Sequence, residues 1–509
     1  MITTLTPGLI LAITLAYFAM LVFAAWWTTR QSDNSSFFIG NHSSPWYLVA
    51  FGMIGTSLSG VTFISVPGSV GKLGSAMGSY SYIQLIMGNV VGYWTIILVL
   101  MPLYYRQRLI SIYSYLEERF GFFSYKTGAF FFLLSRTIGS AFRLFLVALV
   151  LQAFVFDRLI PEGSPFQITF PFTVAFTLIL IWVYTYKGGI KTIIYTDSLQ
   201  TIFLVASIIL SIYFIADELQ VGLKGLYQTI KASPYAQMFF WDAKQENYFF
   251  KQFLSGFFIA LAMVGLDQDL MQKNISCRNL KEAQLNMFSF SIIILIINIL
   301  FVSLGALLYI YSAKTGIVPP ARTDYLFPML ALEHFAPVVG ILFLLGIIAA
   351  TYASSDSALT ALTTSFCIDF LNFSKRTDEP EENLKQIRHR VHLGFTFVFF
   401  LLIVAFRYLF EESVVTLIFT IAGYTYGPLL GLYAFGILTK LKPNDRWVPI
   451  ICILSPILCY FLNKYSKDLF YGYEFGLTII IANGFLTFLG LLLVSYIIPT
   501  PPAQTLKNT

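Results

Sequence analysis

The chain has 509 residues, of which 57% are hydrophobic and 11% charged, with a mean hydropathy of +0.74; soluble domains carry about 25% charged residues, so this chain is built mainly for lipid. Its net charge of +6 is spread through the breaks between apolar runs and not gathered on one face, which speaks against a nucleic-acid partner. An enzyme is not expected, because the histidines form no HExxH, Cys277, Cys367, Cys452 and Cys459 have no metal-ligand spacing, and Gly68-Ser69-Val70-Gly71-Lys72-Leu73 lacks the first glycine and the Ser/Thr of a phosphate loop.

The first apolar run, 7–28, has no basic n-region and no small-residue cleavage site, so it is expected to stay as a membrane helix. Runs of about 20 residues, each able to cross roughly 30 Å of hydrocarbon, follow at 45–71, 77–104, 124–156, 168–186, 191–216, 249–271, 284–312, 336–371, 391–410, 413–439, 447–463 and 475–498, about thirteen spans in all. With the N-terminus outside, the inner loops and tail collect roughly 19 of the 32 basic residues and the outer loops roughly 11. The expected placement is a bacterial inner membrane with the N-terminus outside and the C-terminus cytoplasmic.

Several spans are not uniform apolar helices. The second mixes Gly52, Gly55, Gly60, Pro67 and Gly68 with Thr56, Ser57, Ser59, Thr62 and Ser65, poor material for a continuous helix. The fourth carries Arg136, near enough to the inner boundary to snorkel, and the deeper Arg143, which needs an anion from another helix or from a substrate. The sixth begins near Asp197, either a helix-end aspartate reaching water beside Lys187 and Lys191 or part of a polar site. The seventh contains Gly256 and Gly265 and ends in Asp267-Gln268-Asp269, five spans after the second, so the two breaks occupy corresponding places in an inverted repeat. In the ninth, Thr351, Ser354, Ser355 and Ala358 share one helical face bordered by Ser357. That stripe is either small-residue packing or, with carbonyls freed by the break in the second span, a set of hard oxygens for sodium.

The Gly-rich second span, the segment Gly188-Gly189-Ile190-Lys191-Thr192 with Tyr195-Thr196-Asp197-Ser198-Leu199-Gln200-Thr201, and the paired serines of the ninth span together resemble the sodium:solute symporter family, which includes sodium/galactose, proline, iodide and sialic acid transporters. The resemblance implies an all-α membrane protein of the leucine-transporter fold. Its segments would be a leading helix and loop at 1–44, inverted five-helix repeats at 45–216 and 249–439 joined by an extracellular loop at 217–248, and two trailing helices at 440–509. It further implies a shared sodium site on the carbonyls of Gly55, Leu58 and Thr351 and the hydroxyls of Ser354 and Ser355. A second sodium, present in some members, would use Asp197, Ser354, Ser357 and the next residue, which here is Ala358 and has no hydroxyl. The substrate would lie near Ser59, Thr62, Gln84 and Arg143, with Arg143 resembling the arginine that sialic acid transporters use for a carboxylate. Where sugar-specific members have Glu-Gln and an aromatic pair, this chain has Val61-Thr62 and Met263-Val264, which disfavours a galactose-type site. The expected activity is sodium-coupled symport of a small organic carboxylate such as sialic acid by alternating access. The alternatives are a neutral sugar, an amino acid or a monocarboxylate as solute, or a transporter-like sensor.

Overall fold

The computed structural model describes residues 7–28, 34–157, 160, 167–185, 189–376, 378–409 and 414–498. The principal helices are α1 (Pro7–Thr28), α2 (Trp46–Ser57), α3 (Gly60–Ser69), α4 (Tyr82–Arg106), α5 (Phe122–Leu151), α6 (Phe170–Thr185), α7 (Gly189–Glu218) and α8 (Phe249–Gly265). They continue with α9 (Gln268–Ile275), α10 (Leu280–Thr315), α11 (Pro337–Phe370), α12 (Glu381–Leu409), α13 (Val414–Leu438), α14 (Val448–Lys464) and α15 (Ile479–Ile497). Among the described residues, nine helices are long and apolar enough to cross a bilayer, two further passes are bent pairs, and two are shorter apolar helices, in register with the thirteen predicted spans. The only sheet-like contact among these residues is one parallel bridge between Ser44 and Cys277.

Local chemistry bounds the helices. The longest, α10, starts where the Asn279 side chain accepts from the Glu282 N–H and stops where Gly316 turns left-handed at φ 73°. Burial sorts them into layers: 78% of the apolar window of α11 is enclosed, against 28% for α12 and for α14. From Val339 to Ser365 nearly every side chain of α11 is buried, so this helix is the central post and must satisfy its many hydroxyls inside the protein. The outer helices turn residues such as Phe23, Leu98, Ile202, Phe397 and Leu493 outward, as lipid requires.

The bent pairs lean on this post. Helices α2 and α3 meet at 59° and α8 and α9 at 64°, so each opens its hydrogen-bond ladder near the middle of the span. Their ends on one side are tied together: Ser44 N–H donates to Ser276 O at 3.1 Å, and the Gln272 amide to Phe38 O at 2.6 Å.

Candidate functional site

The first break frees backbone oxygens. Leu58 (φ −88°, ψ 84°) and Ser59 (φ −73°, ψ 167°) leave the helical region, so the last carbonyls of α2 lose the N–H groups that would follow them. Leu58 N–H still reaches Ile54 O at 2.8 Å, but among the described residues nothing donates to the carbonyls of Gly55 or Leu58. Glycine serves close approach here: a Cβ on Gly60 would fall 2.4 Å from Thr351 Oγ1, and one on Gly55 2.7 Å from Thr201 Oγ1 and 3.3 Å from Ala353 Cβ. The break therefore presses directly on α11. There Thr351 Oγ1 donates to Ile347 O at 2.7 Å and Ser354 Oγ to Thr351 O at 3.0 Å, which leaves their own lone pairs available. Ser355 Oγ is buried without a hydrogen-bond partner among the described residues. Of the five predicted ligands of the shared sodium, Gly55 and Leu58 stand at the break, and Thr351, Ser354 and Ser355 on α11, the helix against which Gly55 and Gly60 pack; the Thr351 carbonyl itself accepts from Ser354 Oγ.

The second predicted ion set is arranged differently. Asp197 is fully buried in α7, and its Oδ2 accepts from Thr56 Oγ1 at 2.8 Å and from the ammonium of Lys273 at 2.5 Å. Lys273, on α9, is itself fully buried, whereas Lys191 is exposed and Lys187 lies outside the described residues. Ser357 Oγ donates to Asp269. One oxygen of Asp197 and the Ser357 hydroxyl are therefore engaged by protein groups.

The second break carries charge where the first carries hydroxyls. Asp267 caps α9 by accepting from Asp269 N–H at 2.9 Å, and its other oxygen accepts from Tyr426. Arg136 does not snorkel. It is 4% exposed, paired with Asp269, and 3.8 Å from Asp267. The freed carbonyls are closed by tyrosines, Tyr104 to Gly265 O at 2.9 Å and Tyr113 to Leu266 O at 3.0 Å.

Between the two breaks lies a cavity of about 110 Å³, room for a small solute in place of several waters. Of the residues expected around a substrate, Ser59, Thr62 and Arg143 line it. Arg143 is half-buried, and among the described residues no carboxylate at ion-pair distance and no hydrogen-bond acceptor engages its guanidinium, Asp267 acting on it only through the longer-range field. Gln84 departs from its expected place: its amide donates to Asn247 O at 2.9 Å and accepts from Phe240 N–H at 3.2 Å, so it ties down the loop before α8 and does not line the cavity. Sequence reasoning missed Tyr82, Asn89 and Tyr93 of α4 on the wall. Their spacing of seven and then four residues puts them on one helical face, a signal that was available. Asn89 Oδ1 is a buried acceptor without a partner.

A family model described as the sodium:solute symporter family matches residues 37–443. The sodium/sialic acid symporter SiaT of Proteus mirabilis (strain HI4320) is 24% identical over 478 residues, covering 91% of this chain and 92% of that one. The sodium/sialic acid symporter NanT of Aliivibrio fischeri (strain ATCC 700601 / ES114) is 24% identical over 481 residues, covering 92% and 90%. A solved substrate-bound outward-open structure of a Na+-coupled sialic acid symporter superimposes with a TM-score of 0.80 at 20% identity, covering 96% of this chain and 97% of the other, a likeness that shows the fold.

Proposed function

Because the chain belongs to the sodium:solute symporter family, we propose that it imports a small organic carboxylate, with sialic acid the leading candidate, by alternating access coupled to sodium. The observation that carries this reading is the contrast between two arginines on one cavity: Arg136 has its carboxylates, and Arg143 has none among the described residues. A guanidinium at this depth costs at least about 2.5 kcal/mol uncompensated. A substrate carboxylate matches its fork with two parallel hydrogen bonds, and Asn89 Oδ1 is placed to accept from a hydroxyl or amide of the same molecule. The names of the two bacterial relatives agree with such a substrate.

Sodium is assigned to Gly55, Leu58, Thr351, Ser354 and Ser355, a reading supported by the carbonyls that the α2/α3 break frees and by α11 hydroxyls with open lone pairs. Carbonyl and hydroxyl oxygens without a full negative charge bind a hard monovalent cation reversibly, as a carrier needs. The repeats are assigned to 45–216 and 249–439, each opening with a bent pair. Placement in a bacterial inner membrane, N-terminus outside and C-terminus cytoplasmic, rests on the distribution of lysine and arginine.

The test is uptake into proteoliposomes of labelled sialic acid, monocarboxylates, amino acids and neutral sugars, with and without a sodium gradient. Sodium-dependent uptake of a carboxylate is expected. Arg143→Lys keeps the charge but loses the planar fork, so it should weaken binding of the acid at least about tenfold, roughly 1.4 kcal/mol, with little effect on sodium binding. Equal losses for the acid and a neutral analogue, or preference for a neutral sugar, would overturn the carboxylate reading.

A further inference from the structure

Behind the serine pair, on the side of α11 that faces away from the cavity, a carboxylate is buried that neither the shared sodium site nor the two arginines use. Asp356 is 0% exposed. One of its oxygens accepts from the Tyr184 hydroxyl of α6 at 2.8 Å and the other from Ser357 N–H at 2.5 Å. Neither donor carries a positive charge. The nearby cation, Lys273, makes its ion pair with Asp197 and reaches Asp356 only through the longer-range field.

The surroundings of Asp356 are polar and unsatisfied. Tyr352, Asp356 and Thr360 follow at intervals of four on α11 and so form one face, and Thr360 Oγ1 is buried with no hydrogen-bond partner among the described residues. Across from it on α7, Asp197 Oδ1 is buried with no hydrogen-bond partner among the described residues, and, one turn on, the buried Gln200 side chain meets the Tyr17 hydroxyl. The Tyr17 hydroxyl of α1 pairs with the Gln200 side chain and feels the charges of Asp356 and Asp197. Orphaned buried polar atoms are rare in folded proteins, and their gathering around an unneutralised carboxylate marks a ligand of opposite charge. Among the described residues no group of three His, Cys, Asp or Glu side chains could hold a metal, so the donor set is that of a hard alkali ion: carboxylate, hydroxyl and amide oxygens.

Charge balance points the same way. Around the two breaks sit three cationic side chains, Arg136, Arg143 and Lys273, and four anionic ones, Asp197, Asp267, Asp269 and Asp356. A carboxylate substrate, which is part of the function proposed above, raises the negative excess to two. One sodium at the serine seam leaves an excess of one, and a second ion at Asp356 closes it. It would also make the cycle electrogenic, because one sodium with one carboxylate carries no net charge and gains nothing from the membrane potential.

We propose that Asp356, with Thr360 of α11, Gln200 and Asp197 Oδ1 of α7, and the hydroxyls of Tyr17 and Tyr184, forms a second sodium site, centred on a carboxylate that is absent from the Asp197–Ser354–Ser357 set which the family resemblance implies and sharing only Asp197 with it.

The test needs no substrate, so its outcome is independent of the carboxylate reading. The full chain, purified in detergent, is unfolded thermally across a series of sodium concentrations, with choline chloride holding ionic strength constant. Above saturation each bound ion adds a fixed stabilisation per tenfold rise in sodium. The wild type should show the slope of two ions and Asp356→Asn the slope of one, while Ser354→Ala with Ser355→Ala separately removes the other ion. Tyr184→Phe, which keeps the shape, should raise the sodium concentration at which the second ion saturates by about tenfold. This variant carries the test if Asp356→Asn does not fold. A one-ion slope in the wild type, a slope unchanged in Asp356→Asn, or a saturation concentration unchanged in Tyr184→Phe would overturn the proposal. So would a slope that varies with pH and not with sodium, which would assign a proton to Asp356.

Discussion

The two bent helices break by nearly the same angle, 59° and 64°, yet the protein completes them in opposite ways. At the α8/α9 break protein groups take up the freed carbonyls of Gly265 and Leu266: Tyr104 and Tyr113 donate to them, Asp267 caps the next helix, and Arg136 pairs with the acids. At the α2/α3 break, among the described residues, nothing donates to the carbonyls of Gly55 and Leu58, and on α11 Ser355 Oγ has no hydrogen-bond partner. A broken helix is therefore not in itself an ion site. Whether the neighbouring helices supply donors to its carbonyls decides between a closed joint and a site for a cation.

That contrast can be broken most severely at the charged joint. Arg136→Ala leaves Asp267 and Asp269 buried with their cation gone, and breaking a buried pair costs about 3–5 kcal/mol. A large fall in thermal unfolding temperature in detergent is expected, with partial recovery when Asp269→Asn is added. A wild-type melting temperature in the single variant would mean that the joint does not depend on this pair.

At the open break the expected effect is smaller and specific to the ion. Ser354→Ala combined with Ser355→Ala should raise the sodium concentration for half-maximal uptake tenfold or more, about 1.4 kcal/mol, while the fold persists. Unchanged sodium dependence would remove the serines from the ion's ligands. The smallest effect sharpens the contrast from the other side: Tyr104→Phe frees a carbonyl at the joint and should cost about 1 kcal/mol of stability without altering sodium dependence. A shift in sodium dependence there would show that the two breaks are not as separate as their partners suggest.

Much of this was legible in the chain. Apolar runs marked the spans because a bilayer demands about 20 apolar residues per crossing, and glycine with hydroxyls in the second run, and glycine with Asp267-Gln268-Asp269 in the seventh, marked the breaks because neither stretch sustains a lipid-facing helix. The serine face of α11 followed from helical periodicity alone. Partners could not be read in this way. Arg136 was expected at the boundary by its position in the run, but it is buried because Asp269 comes to it from a helix 133 residues further along the chain. Asp197 was matched to lysines nearby in sequence, yet its counter-ion is Lys273 on α9.

The sequence by itself determined that the chain spans a membrane, where it crosses, which helices break, and which family it resembles, since those properties depend on local composition and spacing. Only the tertiary structure decided which buried charges neutralise one another, that Gln84 serves a loop, and that Arg143 and Asp356 are left without a cross-helix ion pair among the described residues. The physical reason is that Coulomb and hydrogen-bond energies at these sites depend on distances of a few ångströms between helices, and packing sets those distances independently of separation along the chain.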